Sequence, residues 1–323
     1  MSKVSVIGLG LIGSQRVEAV NRLGHEVVAT FDPGLDGRSS TTSLIDLLQV
    51  ESDLVVIAVP HDAAIPIADQ VLASGMRVLI EKPLGRSLSE FTTFVETHRD
   101  NTDQIFVGLN YPYFQGVSCL LDDVRSEAFG ELLQMKLRMG HGGSPRDKDS
   151  WKLDPIRAGG GCLLDPGVHL LDLICLFLGN VPRVVGQHSA SKFWNTGVEE
   201  QALCIMESDS VPQILLDLSI ANWKSEFRLE VVGSEGYGIV DGRGRSYGIQ
   251  RYTRGTRWSW QNGRSQAENE TTVLETSCQD SFDLELQDIL ESKLLSYAGN
   301  SLSRMRNAHL LLNEIRCSTV LES

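Results

Sequence analysis

Asp165, His169 and Asp172 are spaced by four and three residues within Gly159-Gly-Gly-Cys-Leu-Leu-Asp-Pro-Gly-Val-His-Leu-Leu-Asp172. On a helix that spacing puts all three on one face. Pro166 suits the first helical position, where a missing N–H costs nothing. Asp165 is then expected as the N-cap, its carboxylate at the positive end of the helix dipole. An Asp and a His held together there form a pair suited to proton transfer. The glycine run ahead of them admits another backbone or a ligand at close range. A purely structural use of the same residues is the competing reading, with Asp172 tying down the helix. The spacing also mimics a metal site, but such sites need a further ligand and supporting groups, so no metal is expected.

Two more groups of chemistry-bearing residues lie upstream. Val4–Ile7 reads as a strand, followed by Gly8-Leu-Gly-Leu-Ile-Gly13, a helical stretch to about Leu23, and a second apolar run, Val27–Phe31, ending at Asp32. This order suits a dinucleotide. Gly8 permits the tight turn, Gly10 lets a pyrophosphate reach the backbone, and Gly13 lets helix and strand pack closely. The phosphates would rest on N–H groups at the helix start. Asp32 would accept hydrogen bonds from the ribose hydroxyls and repel a 2′-phosphate, which points to NAD; nearby Arg38 keeps NADP open. The other group is Glu81-Lys-Pro83, directly after the apolar strand Arg77–Ile80. It places Lys82 at the carboxyl end of a parallel strand, where doubly wound sheets bind ligands.

The elements that must position these groups change character along the chain. Leu54–Val59 is an unbroken apolar run, as in a strand buried on both faces. Ser87-Leu-Ser-Glu90 reads as a capping box, and Ile105–Leu109 as another strand. Pro66 falls inside an expected helix, Ala63–Ala73, which should therefore start late or kink. After about residue 125, alternating segments such as Leu133–Met139, Ile214–Ile220 and Phe227–Val231 indicate a largely antiparallel sheet with one open face. Much of 251–272 is polar and reads as loop, and a last helix is expected near Leu302–Leu321.

The chain has 323 residues, 41% hydrophobic and 22% charged, with a formal net charge of −13. That size suits two domains, expected at 1–122 and 123–323. The acidic balance and lack of a Lys/Arg cluster argue against nucleic acid. No apolar stretch approaches the ~20 residues of a membrane span. Six scattered cysteines without a C-x-x-C pair suggest a reducing, cytoplasmic setting. Besides His169, the six histidines His25, His61, His98, His141, His188 and His309 are read as surface or capping residues.

Taken in order, these segments resemble the Gfo/Idh/MocA oxidoreductase family. Gly8–Gly13 is similar to its dinucleotide turn and Glu81-Lys-Pro83 to its lysine motif. Val107-Gly-Leu-Asn-Tyr111 looks like its G-x-N-Y segment and Phe129-Gly-Glu-Leu132 like the entry to its second domain. Trp151–Asp172 resembles its substrate stretch and Leu229–Gly236 its later strand and turn. The resemblance implies an α/β N-terminal Rossmann domain plus an α+β C-terminal domain with a large, mostly antiparallel open sheet. It implies a catalytic group of Lys82, Asp165 and His169. Cofactor contacts fall to Gly8, Gly10, Leu11, Ile12, Gly13, Asp32, Pro60, Glu81, Lys82 and Asn110. Substrate contacts fall to Lys82, Asn110, Trp151, Arg157, Asp165 and His169, with Lys152 as a further candidate; apart from the resemblance, Arg157, Lys152 and Arg146 could meet one anionic group. The family's usual Asn after the Ala58-Val-Pro60 strand end is here His61, the His usual further on is Ala64, and the Arg after Asn-Tyr is Pro112.

The implied reaction is NAD-dependent (or NADP-dependent) hydride exchange at a carbinol or carbonyl carbon of a sugar, inositol-like polyol or nucleotide-sugar. His169, oriented by Asp165, is the first choice of base, with Lys82 stabilising the developing alkoxide; the two roles could be exchanged. Two other functions fit the same residues. One is an enzyme using tightly bound NAD for transient redox in elimination or isomerisation; the other is a non-catalytic NAD- and sugar-binding regulator. The partners expected are a small-molecule substrate and further copies of the chain, as a homodimer or homotetramer.

Overall fold

A computed structural model describes residues 1–34, 39–144, 148, 150–257, 270–277, 280–291 and 297–318. Arg38 and Arg146 lie outside the described residues. The chain divides into two compact units, the first drawn from Met1–Asn110, Ile156–Gly159 and Asp280–Arg306, the second from Tyr111–Pro155, Gly160–Gln279 and Asn307–Ser323.

The first unit holds strands β1 (Lys3–Ile7), β2 (Glu26–Phe31), β3 (Leu54–Ile57), β4 (Val78–Glu81) and β5 (Ile105–Gly108). They form a parallel sheet in the order β2-β1-β3-β4-β5. All four residues of β3 are buried, as its unbroken apolar run requires. Helices Leu11–Arg22, His61–Ala73 and Leu88–Thr97 join the strands. Ser87 caps the last of these, accepting the Glu90 N–H at 3.2 Å. The expectation of a late start is corrected. One helix begins at His61 and passes through Pro66 to Ala73. Burial of Ala64, Ala68, Val71 and Leu72 along one side outweighs the hydrogen bond that Pro66 cannot make. A late helix, Ser281–Glu291, returns to this unit, where Leu286 and Ile289 share a core with Val4, Val6, Ala19 and Leu79.

The second unit is built on eight strands: β6 (Leu132–Gly140), β7 (Arg183–Ala190), β8 (Gln201–Glu207), β9 (Ile214–Ser219), β10 (Glu226–Gly233), β11 (Gly236–Asp241), β12 (Gln250–Thr256) and β13 (Glu270–Thr276). Their order is β13-β12-β11-β10-β6-β9-β8-β7, antiparallel except for the β6–β9 pair. The alternation holds: Met135, Leu137, Met139, Leu216, Leu218, Phe227, Leu229 and Val231 are buried. On the other face Arg138 pairs with Asp217 and Glu226, each at 3.1 Å, and Lys136 with Glu230 at 3.1 Å. Of the loop expected over much of 251–272, residues 258–269 lie outside the described residues; 251–256 and 270–272 belong to β12 and β13. Both carry charge on exposed positions, the Arg251–Glu275 pair at 2.8 Å among them, and β13, at the edge of the sheet, buries none of its residues, which masks the two-residue period.

Candidate functional site

In the first unit, the glycine turn between β1 and the helix Leu11–Arg22 has the shape a dinucleotide needs. A Cβ on Gly13 would lie 1.8 Å from the Gly8 carbonyl oxygen, so helix and turn could not close with any larger residue. A Cβ on Gly10 would meet nothing within 4 Å, which leaves open space over the turn. Gly10 is also the N-cap, without a side-chain cap, so the first helical turn presents its N–H groups outward. Leu11 and Ile12 of that turn are exposed. Asp32, just past β2, is held by the Leu9 N–H at 2.6 Å and the Gly34 N–H at 2.8 Å. Each carboxylate oxygen retains acceptor capacity for a hydroxyl. Pro60 precedes the helix His61–Ala73 as its N-cap. The residues present fit a dinucleotide.

Lys82 follows β4 and is half-buried, with a cis bond to Pro83. Its neighbour Glu81 is drawn into a cluster that sequence reasoning missed. Arg16, on the glycine-turn helix and fully buried, donates through Nε to Glu81 at 2.7 Å and through Nη2 to Glu285 at 2.6 Å. The Phe282 ring lies 4.2 Å from its guanidinium carbon. One guanidinium thus serves two carboxylates. Burial pushes the Glu285 carboxyl up to about 7; Arg16 opposes the shift, and the like charge of Glu81 adds to it. A signal existed, since Gly13, Arg16 and Ala19 recur at three-residue spacing on the buried side of the helix. An arginine there demands acidic partners. Asn110 is buried and donates through Nδ2 to Ser281 Oγ at 2.9 Å. Arg157, expected at the substrate, ion-pairs with Asp62 at 3.0 Å.

In the second unit, the N-cap expectation for Asp165 is corrected. The helix runs Val168–Leu178 with Gly167 as N-cap. Asp165 belongs to the preceding turn, where the Leu164 and Asp165 N–H groups bond the Gly161 carbonyl and the Gly167 N–H bonds that of Cys162. The Asp165–Pro166 bond is cis. That compact turn consumes the residues expected to open the helix. The glycine run serves a backbone: a Cβ on Gly161 would stand 1.9 Å from the Glu199 carbonyl oxygen.

Asp165 ion-pairs with Lys152 at 3.2 Å. His169 is buried, its ring stacked on that of Tyr111 with centroids 3.8 Å apart and 9° between planes. Tyr111 itself is buried, which raises its phenol well above the usual range, and it donates to Met139 Sδ at 3.3 Å. Pro112 is buried in the same short turn, Tyr111–Tyr113. Asp172 is buried on the His169 helix. An open pocket of about 370 Å³ is lined by His141, Gly143, Lys152, Leu153, Asp165, Trp194 and Ile220. Trp151 flanks it, its ring 5.8 Å from Lys152 Nζ. His141 and Trp194 were missed because neither belongs to a local motif; His141, expected as a surface or capping residue, is a pocket residue. His61, expected likewise, is buried with Nδ1 2.9 Å from the Ala158 carbonyl oxygen, and His309 is buried too. Among the described residues no group of three or more His, Cys, Asp or Glu side chains converges with metal-holding geometry, and no helix is long and apolar enough to cross a membrane.

Residues 2–109 match the NAD-binding Rossmann-fold model of this oxidoreductase family, and residues 121–238 match the Gfo/Idh/MocA C-terminal domain. The chain belongs to the Gfo/Idh/MocA family. Its match to glucose-6-phosphate 3-dehydrogenase of Bacillus subtilis is 26% identical over 54% of this chain and 53% of that protein. Its match to inositol 2-dehydrogenase of Corynebacterium glutamicum is 24% identical over 78% and 77%. The chain spans about half the length of the first of these Gfo/Idh/MocA relatives and about three quarters of the second. Among solved structures, an NAD-binding oxidoreductase from Klebsiella pneumoniae superposes with a TM-score of 0.80 at 17% identity, covering 98% of this chain and 96% of that one. Levoglucosan dehydrogenase, in complex with NADH and levoglucosan, gives 0.79 at 16% identity, with the same coverage. At these identities the likeness is one of fold.

Proposed function

We propose that the protein is an NAD-dependent dehydrogenase or reductase acting on a carbinol or carbonyl carbon of a sugar, an inositol-like polyol or a nucleotide-sugar. The observation that carries this reading is the Lys152–Asp165 pair within a pocket that also bears His141 and Trp194, polar and aromatic groups suited to a hydroxylated ligand. The relatives named for glucose-6-phosphate, inositol and levoglucosan oxidation support the substrate class.

NAD would be held by the Gly8–Gly13 turn and Asp32, with Pro60, Glu81 and Asn110 alongside, and its nicotinamide supplies the hydride acceptor when bound. Asp32 carries negative charge where NADP would bring a 2′-phosphate, which favours NAD. Oxidation of the carbinol removes a hydride from carbon and a proton from oxygen. Lys82 hydrogen-bonds the reacting oxygen and stabilises its growing charge. His169 accepts the proton, its ring plane fixed by Tyr111. Asp165, charged and paired with Lys152, orients the substrate hydroxyls and the imidazole. The family resemblance supports this grouping of Lys82, Asp165 and His169. Trp151 and Lys152 serve the substrate; Arg157 does so only by leaving Asp62.

The free thiols of Cys119, Cys162, Cys175, Cys204 and Cys317 support a reducing, cytoplasmic setting. The ion-paired open face of the second unit's sheet supports self-association as a homodimer or homotetramer. Absorbance of NADH, followed while sugars, inositols and nucleotide-sugars are screened with NAD and NADP, tests the activity. Turnover of one of these classes with NAD is expected. Cofactor that co-purifies and is never released as NADH would overturn simple dehydrogenation.

A further inference from the structure

Between β7 and β8 a loop, residues 191–200, is organised by one buried carboxylate. Glu200 accepts the N–H groups of Lys192 at 3.1 Å, Phe193 at 2.6 Å and Asn195 at 2.6 Å, and the Ser191 hydroxyl at 3.3 Å. Asn195 adopts a left-handed φ of 54° within the same loop. Burial alone would raise the Glu200 pKa; the backbone N–H groups of Asn195, Phe193, Lys192 and Trp194 outweigh it and hold the carboxyl below its ordinary value. A charged acceptor with this many donors makes a stiff loop.

Trp194 rides on that loop. Its indole Nε1–H donates to the Ile220 carbonyl at 2.9 Å, and the Phe193 ring meets it edge-on with centroids 4.9 Å apart. The indole is therefore tethered through its own polar atom as well as through its backbone. With its single N–H committed to the protein, what it offers the pocket beside His141, Lys152 and Asp165 is aromatic surface. A sugar or cyclitol ring presents a rigid face of C–H groups that can lie against such a surface. An open-chain polyol must order several rotatable bonds to present one, at an entropic cost.

We propose that Trp194 is a specificity-determining residue that selects ring-form sugars or cyclitols over open-chain polyols, and that Glu200 is the positioning residue that holds it in place. This rests on the reading of the pocket as the substrate site.

The test is calorimetric binding of glucose, myo-inositol and glucitol to the protein saturated with NADH, for wild type, Trp194→Ala, Trp194→Phe and Glu200→Gln. At least one ring compound should bind more tightly than glucitol. Trp194→Ala should weaken it about tenfold and glucitol by a clearly smaller factor. Trp194→Phe, which keeps an aromatic face, should recover part of the loss. Glu200→Gln should weaken ring binding by a smaller factor. Binding of glucitol as tight as that of the rings, no ring binding at all, or an unchanged Kd in Trp194→Ala would each overturn the proposal. Ring binding that follows the pattern without any NADH formation in the turnover assay would sink the dehydrogenase reading and support the selecting role. Turnover that is indifferent to Trp194 would do the reverse.

Discussion

The dinucleotide half and the pocket half of this chain solve the same problem, holding charge still, in different ways. Around the glycine turn, the fixed groups are backbone and buried ions: Asp32 takes two main-chain N–H groups, and Arg16 is enclosed between Glu81 and Glu285. Around Asp165 the cation stays accessible: Lys152 is 54% exposed where Arg16 is wholly enclosed, while Asp165, at 13%, is shielded about as much as Glu81, at 12%. The difference follows from what each half must do. A cofactor of constant shape is served by a rigid, desolvated frame. On the reading proposed above, a pocket that exchanges hydroxylated ligands would need a cation that can trade partners with water and substrate, which fully buried pairs do at high cost.

The sharpest way to break this comparison is Lys82→Met. It should lower kcat/KM by about 10⁴-fold while NADH binding, read by fluorescence titration, weakens far less. Full activity in that variant would remove Lys82 from the site. Arg16→Met should act on the frame instead. Leaving Glu81 and Glu285 buried against each other should cost about 3–5 kcal/mol of stability in urea melts. A shift below about 1 kcal/mol would mean that the cluster is not the brace described above.

Asp165→Asn is expected to reduce kcat/KM by about 10²-fold without a comparable loss of stability, because its partner Lys152 is half-exposed and stays solvated when the pair is lost. Lys152→Met should cost about tenfold, mainly in KM. Equal losses from the two would indicate that Asp165 acts only through Lys152. The frame also has an expected pH dependence. The Glu285 carboxyl, at about 7 when folded against an ordinary 4.5, holds a proton in the folded state that the unfolded chain has already lost. Its contribution to stability is therefore complete below about pH 4.5 and lost as pH rises through about 7. The stability difference between wild type and Glu285→Gln, measured from pH 4 to 8, should fall in that window. A flat difference would rule out titration of Glu285 there.

Much of this was legible in advance, and the failures have physical causes. The glycine turn, Asp32 and the Lys82 strand end were readable because each depends on contacts within a few tens of residues and on steric rules that admit only glycine. The alternation of Leu133–Met139 announced the second sheet for the same reason: periodicity is local. β12 and β13 escaped because charged and polar residues dominate their exposed positions and β13, at the sheet's edge, buries none of its residues. The helix start at Asp165 failed because a turn pinned to the Gly161 carbonyl competes with capping, and the side-chain pattern is silent about that hydrogen bond.

The sequence by itself determined the family, the two kinds of sheet, the glycine turn and Asp32 that fit a dinucleotide, and the residue types proposed for proton transfer. Only the tertiary structure decided which charges meet. It paired Arg16 with Glu81 and Glu285, Asp165 with Lys152, His169 with Tyr111 and Arg157 with Asp62. Local sterics are written in adjacent residues, whereas the partner of a charge is set by whichever distant segment folding carries to within a few ångströms of it.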